Sequence, residues 1–269
     1  MKITLNSINQ MSYTDFVGMV NQTNVMPGAY DTISRWIQFG KITSNSKVLE
    51  MACTTGFSLR EISLETNCSG LGVDISQKSV DTANENRLEL APNNEINYKC
   101  ISGYDVEGTD YSHIVLGAAA RFFPDPQKLI LKCTELLCDN SYILASEFYA
   151  KSKVPEDLIK NAQNTFGITP TSIDYKEVMS IYKGLDIVYE DKKTLTLETD
   201  DEISHYCQST INRACNKLGI TDLELQNAMI ERLKKIKQVS NELRKYQEYN
   251  VLVLRYRKNT FPNRYVELF

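Results

Sequence analysis

The segment Lys47–Arg60, KVLEMACTTGFSLR, narrows the folds open to this chain more than any other. A short apolar rise ends in Glu50, a run of small residues follows (Ala52, Cys53, Thr54, Thr55, Gly56), and Phe57-Ser58-Leu59-Arg60 begins a helical pattern. Strand, tight turn and helix N-terminus in that order make a cradle. Small side chains let the backbone approach a ligand, and the free N–H groups of the first helical turn point at it.

The flanking sequence extends this unit. Ser12–Asn24 sets Phe16, Met19 and Val20 at helical spacing behind Ser12 as a cap. Met26-Pro27-Gly28-Ala29 reads as a turn, and Tyr30–Phe39 as a helix with Ile33, Trp36 and Ile37 on one face. After the opening segment come a helix to Thr66, a strand Gly70–Ile75, a helix Gln77–Leu90 with Val80, Ala83 and Leu88 turned inward, and a strand Ile96–Ile101. A strand His113–Gly117, a helix Pro126–Cys138 and a strand Ser141–Phe148 follow. Strands alternating with helices of this length signal βαβ units and a parallel sheet with helices on both faces. From Val154 the order changes: helices Pro155–Phe166 and Tyr175–Tyr182, a strand Leu185–Leu197, two long helices Thr199–Leu218 and Asp222–Tyr246, and a strand Tyr249–Tyr256. The economical reading is one α/β domain over 1–269, with an N-terminal helical cap at 1–42, a core at 43–150 and a helical lid at 199–247 inserted before the last strand.

A net charge of −4 gives no overall call for nucleic acid or an anionic membrane. Nine Lys/Arg against three Glu between Glu231 and Lys258 read as a solvated helix face, with a basic lip over the site as the alternative. Seven scattered cysteines form no C-x-x-C pair and no zinc spacing, which suits reduced thiols and predicts no metal. With no signal-like or membrane-spanning apolar run, a cytoplasmic protein is expected.

Three strand ends carry chemistry. The first ends in Glu50 and the small-residue turn, the second in Asp74, eighteen residues after Gly56, and the third runs into Tyr104-Asp105. Open parallel sheets bind ligands beyond the carboxyl ends of their strands. An acid closing the second strand is placed to take both hydroxyls of a ribose, whereas the small positions Ala52, Thr54 and Gly56 do not form the G-x-G-x-x-G cradle of a diphosphate. A nucleoside without phosphates fits better.

Together, VLEMACTTG, GLGVDIS, GYDVEG and HIVLGAAARFFPDPQKLI resemble, in order, four motif regions of the class I S-adenosylmethionine-dependent methyltransferases. The resemblance spans about Tyr30 to Phe148 and implies a Rossmann-like, seven-stranded, mostly parallel sheet. It implies that S-adenosylmethionine is the cofactor, that Glu50 positions the methionine amino group, and that Ala52, Cys53, Thr54 and Gly56 pass beneath the methionine and ribose. Asp74 would bind the ribose hydroxyls, Ile75 would pack on adenine, and Asp105 with the Val106 amide would take the adenine edge. Gly117 and Ala118 would lie near the sulfonium, and Tyr30 in the cap would close over the cofactor. Ala52 and Thr54 replace two family glycines, and Arg121-Phe122 stand where a His-His pair often sits.

Methyl transfer needs orientation and desolvation of the acceptor, plus a general base when the acceptor is a hydroxyl. Glu147 and His205 are the candidates for that base, and Arg121, Phe122 and Tyr206 for acceptor contacts. Each has a plainer reading as a packing or solvated residue. The expected acceptor is an N or O atom of a small molecule or natural product, or the terminus of a modified peptide. Rival readings are a non-methylating enzyme and a non-catalytic S-adenosylmethionine-binding protein. Oligomeric state leaves no mark in the sequence.

Overall fold

A computed structural model describes residues 3–23 and 26–262. Three helices come first: α1 (Leu5–Gln10), α2 (Tyr13–Met19) and α3 (Ala29–Gly40). Then β1 (Lys47–Met51), α4 (Phe57–Thr66), β2 (Ser69–Asp74), α5 (Gln77–Leu90), β3 (Ile96–Cys100), β4 (Tyr111–Gly117), α6 (Pro126–Leu136) and β5 (Leu137–Ala145) alternate as expected. The chain continues through β6 (Phe148–Ala150), α7 (Glu156–Phe166), α8 (Tyr175–Met179), β7 (Asp186–Thr194), α9 (Asp200–Leu218), α10 (Leu223–Arg244) and β8 (Gln247–Tyr256).

The strands form one sheet. β3, β2, β1, β4 and β5 pair in that order, all parallel, and β8 pairs antiparallel with β5, β6 and β7. Leu252 of β8 faces Ala145 of β5 and Glu190 of β7, so those two strands flank β8. β6 takes up the pairing one step further along the β5 side, at Tyr249 of β8. The strand expected over Ser141–Phe148 is therefore interrupted at Ser146-Glu147, which separates β5 from β6. With those two counted as one, the sheet has the expected seven positions; counted by segment it has eight strands.

Two apolar layers cover the sheet. Trp36, Val48, Leu59 and Val253 lie in one, Leu49, Ile114, Leu129 and Leu254 in the other. A third core joins the N-terminal helices to the insertion: Ile8, Phe16 and Val20 pack with Ile203, Cys207, Met229 and Leu233. Arg232 of α10 donates to the carbonyls of Ile8 and Met11 and lies over the Phe16 ring at 4.4 Å.

Some expectations need correction. Leu88 of α5 is exposed rather than inward, because that helix buries Ser79, Val80, Thr82, Ala83 and Asn86 instead. The segment Tyr175–Tyr182 is a short helix followed by a tight 3-10 turn. Helix α1 lies outside the expected set; a reciprocal Thr4–Ser7 capping box begins it. In the basic stretch Lys237 and Arg244 pair with Glu198, and Arg255 and Arg257 with Asp186, while Lys235 and Lys258 are exposed. The cap expected over 1–42 includes residues 1, 2, 24 and 25, which lie outside the described ones. Among the described residues no helix is long and apolar enough to cross a membrane.

Phe16 is fully buried at the centre of the third core. Phe16→Ala is expected to cost about 3–5 kcal/mol, measured as a lower midpoint in urea unfolding.

Candidate active site

β1 pairs with β2 on one side and β4 on the other, so the chain path reverses at β1 and opens a crevice beyond the strand ends. The turn after β1 is built from alternate left-handed residues: Ala52 at φ 52°, Thr54 at 46° and Gly56 at 76°. Alanine and threonine thus take backbone that favours glycine, at about 1–3 kcal/mol each. Gly56 cannot be replaced so simply. A Cβ there would stand 2.5 Å from the Tyr98 ring, whose hydroxyl donates to the Gly56 carbonyl at 2.8 Å.

That backbone carries the Thr54 N–H to Asp74 Oδ2 at 3.0 Å, while the Ser76 N–H reaches Oδ1 at 2.8 Å. Each carboxylate oxygen thus has one backbone donor and keeps acceptor capacity for a ligand. Burial raises the Asp74 pKa, and the amides of Ser76 and Thr54 oppose that rise. Ile75 beside it is 75% exposed, an apolar side chain open at the strand end. Glu50 is buried and its Oε2 accepts the Leu59 N–H at 3.2 Å, so it also caps α4. Burial pushes its pKa up to about 7, against hydrogen bonds from Ser58 and Leu59. Cys53 is buried and desolvation drives its thiol pKa well up, which suits a filler rather than a nucleophile. Asp105 is exposed in a 3-10 turn, and Val106 after it is buried in the core.

Gln22 and Pro27, both after α2, meet the strand ends. Thr55 Oγ1 donates to the Gln22 carbonyl at 3.3 Å, and Ser146 Oγ to the Pro27 carbonyl at 3.4 Å. Met26 lies 4.0 Å from where a Gly117 Cβ would stand. Gly117, at φ 58°, ends β4, and its carbonyl accepts the Ser146 N–H at 2.6 Å; Ala118 follows, half-buried. Tyr30 is 58% exposed and meets the Phe57 ring edge-on at 5.3 Å, at the start of α4.

Glu147 occupies the break between β5 and β6, 1% exposed. Its carboxylate accepts a hydrogen bond from the Tyr182 hydroxyl, and its backbone exchanges hydrogen bonds with Asn250 at 3.2 and 3.0 Å. Burial pushes its pKa up to about 7, while the Tyr182 bond and the Arg121 charge pull it down. Arg121 donates to the carbonyls of Glu177 and Val178, the latter at 2.9 Å, so its guanidinium is tied to the end of α8. Phe122 beside it is 40% exposed. His205 is exposed on α9, and Tyr206 packs at the α9–α10 contact with Lys237 4.9 Å from its ring centroid. His113 lies within the sheet, its ring nitrogens on Gly40 O and Ser112 Oγ.

Glu50, the left-handed turn and Asp74 come together at the strand ends. Glu147 and Arg121 belong to a neighbouring cluster, and His205 and Tyr206 to the cap. Tyr182, Tyr98 and Ser76 escaped sequence reasoning. Asn250 left a signal, a lone amide within the apolar run YNVLVL.

A family model described as a methyltransferase domain matches residues 42–192, more than half of the chain. The chain belongs to that family, the S-adenosylmethionine-dependent class I methyltransferases that its motifs resemble. No curated protein matches the sequence significantly. Among solved structures it is similar to MccD protein, with 26% identity and a TM-score of 0.70 over 87% of this chain and 100% of that one. A Geobacter sulfurreducens S-adenosylmethionine-dependent methyltransferase, solved with S-adenosylhomocysteine, shares the fold at 16% identity and a TM-score of 0.66, covering 89% and 96% of the two chains. So does the [4+2]-cyclase SpnF, at 11% identity and a TM-score of 0.62, covering 90% and 93%.

Two measurements test this description. For Glu50 and Glu147 the folded pKa of about 7 exceeds the ordinary glutamate value of 4.5, so the folded chain binds more protons in that interval. Stability of the ligand-free protein should therefore fall as pH rises from about 4.5 towards about 7, and Glu50→Gln or Glu147→Gln should each flatten part of that slope in thermal melts. Thr54→Gly relieves left-handed strain but adds unfolded-chain entropy, and a net gain of up to about 1 kcal/mol is expected in urea unfolding.

Proposed function

We propose that this protein transfers a methyl group from S-adenosylmethionine to an N or O atom of a small molecule or natural product by in-line displacement. The observation that carries the reading is the Asp74 carboxylate, held by the amides of Thr54 and Ser76 at the end of β2. That is the arrangement a ribose diol requires: two oriented oxygens, each with acceptor capacity left. Glu50, behind the same turn, is the charged end for the methionine amino group. Ala52, Cys53, Thr54 and Gly56 form the floor. Ile75, Asp105 and the Val106 amide take the adenine, and Gly117 and Ala118 flank the reacting end.

When bound, S-adenosylmethionine supplies a methyl carbon already activated by the sulfonium. This chain's residues then align the acceptor and exclude water. Glu147, with a pKa near 7 and a tyrosine hydroxyl on its carboxyl, is the better-suited proton acceptor for a hydroxyl substrate. His205 on the exposed face of α9 is the weaker candidate. Arg121, Phe122 and Tyr206 are the residues to which we assign acceptor contacts. We read 1–42 and 199–247 as the cap and lid over a core at 43–150, consistent with the shared packing of α1 and α2 with α9 and α10. A peptide terminus is the second acceptor class that a long cap admits. A non-methylating reaction is the second reading, favoured by the likeness to a structure named as a cyclase.

Calorimetry with S-adenosylmethionine and S-adenosylhomocysteine is the test. Binding of both is expected, with Asp74→Ala weakening affinity by about tenfold or more through loss of charge-assisted hydrogen bonds. Failure of either ligand to bind removes the reading. Binding without methyl transfer across a panel of amines and alcohols turns it to the non-methylating alternative.

A further inference from the structure

Asp74 is oriented from outside its own loop. Ser76, buried at the N-cap of α5, donates its N–H to Asp74 Oδ1 at 2.8 Å and its hydroxyl to Asp15 Oδ1 of α2 at 2.6 Å. The same hydroxyl oxygen accepts the Ser79 N–H at 3.2 Å, and the Ser76 carbonyl accepts the Val80 N–H at 3.0 Å. With its hydroxyl proton committed to Asp15, Ser76 has one conformation that serves the helix cap and the carboxylate together.

We propose that Asp15 is a positioning residue of the cofactor site, acting through Ser76 to hold the Asp74 carboxylate for the ribose diol. The proposal rests on the ribose role given to Asp74 above.

Helix α2 lies along α5 on a polar seam with about one contact per turn. Ser76 meets Asp15, Ser79 Oγ donates to the Thr14 carbonyl at 3.0 Å, and Thr82 Oγ1 donates to the Gly18 carbonyl at 2.9 Å. At the far end Asn21 and Asn86 exchange amide hydrogen bonds at 2.8 and 3.0 Å. Gly18 lets the helices approach this closely, since a Cβ there would meet the Ser79 backbone at 2.7 Å. Among the described residues, the Asp15 rung is the one that reaches a residue bonded to Asp74; the others dock the helix. The far side of α2 is packed into the core shared with α9 and α10. Docking of the whole cap and geometry of the ribose acid are thereby linked through one hydroxyl.

The seam supplies its own control. S-adenosylhomocysteine affinity is measured by calorimetry on the full chain and on Asp15→Ala, Asp15→Asn, Thr82→Val and Asp74→Ala, with thermal melts of each ligand-free variant. Asp15→Ala should weaken binding by about fivefold or more, Asp15→Asn, which keeps an oxygen acceptor, should return to within about twofold of wild type, and Thr82→Val should bind as wild type. If Asp15→Ala does not fold, Asp15→Ser, too short to keep the bond, takes its place with the same expected loss. Unchanged or tighter binding by Asp15→Ala overturns the proposal, because removing a like charge beside Asp74 then outweighs any positioning. An equal loss in Thr82→Val overturns it as well, since docking alone would explain both. Unchanged binding by Asp74→Ala overturns the ribose role itself and is read separately.

Discussion

The carboxylate of Asp74, fixed between the backbone amides of two different turns, is the constraint on which the site depends. It requires β2 to end in register with β1, Met51 opposite Val73, so that the turn after β1 passes beside the acid. It requires that turn to run left-handed at alternate residues, which brings the Thr54 N–H round to Oδ2. And it requires a floor. Tyr98 of β3 supplies it, packed so closely that a Cβ on Gly56 or Gly72 would fall 2.5 or 2.4 Å from its ring. Gly56 of the turn and Gly72 of β2 are both fixed by contact with that ring, while Ala52 and Thr54 are half-buried. This is a physical reason for the one glycine that the pattern A-x-T-x-G keeps.

Two buried carboxylic acids divide the electrostatics. Glu50 sits under the N-terminus of α4, where the Ser58 and Leu59 donors favour its charged form, and Glu147 sits at the break between β5 and β6 with Tyr182. Desolvation dominates at both, so each resists ionisation until a partner arrives. The cations of the C-terminal third do not serve either acid. Lys237 and Arg244 pair with Glu198, Arg255 and Arg257 with Asp186, Lys193 with Asp31 and Lys217 with Glu85.

Much of the fold was legible because long periodic segments dominate their own geometry. Helix α5 begins and ends as its spacing indicates, at Gln77 and Leu90, whereas the helix expected over Pro126–Cys138 ends at Leu136 and gives way at once to β5. Leu88 misled because α5 buries a polar seam, and apolar periodicity cannot announce a face made of Ser, Thr and Asn. The break at Ser146-Glu147 was invisible because its hydrogen-bond partners are distant in sequence: the Glu147 N–H goes to the Asn250 side chain and the Ser146 N–H to Gly117. In the site, Glu50 and Asp74 were readable from strand ends; Ser76, Tyr98 and Tyr182 were not, since each acts through a contact distant in sequence.

Trp36, the single tryptophan, donates its indole N–H to the Ala145 carbonyl at 3.3 Å, at the end of β5 and one residue before Ser146. Ser146 in turn bonds both Gly117 and Pro27, the strand end and the segment that crosses it. A buried indole with one polar contact has an emission that depends on that contact. The protein therefore carries a native fluorophore wired to the meeting point of sheet and cover. Movement of that cover has an optical signal without any label attached.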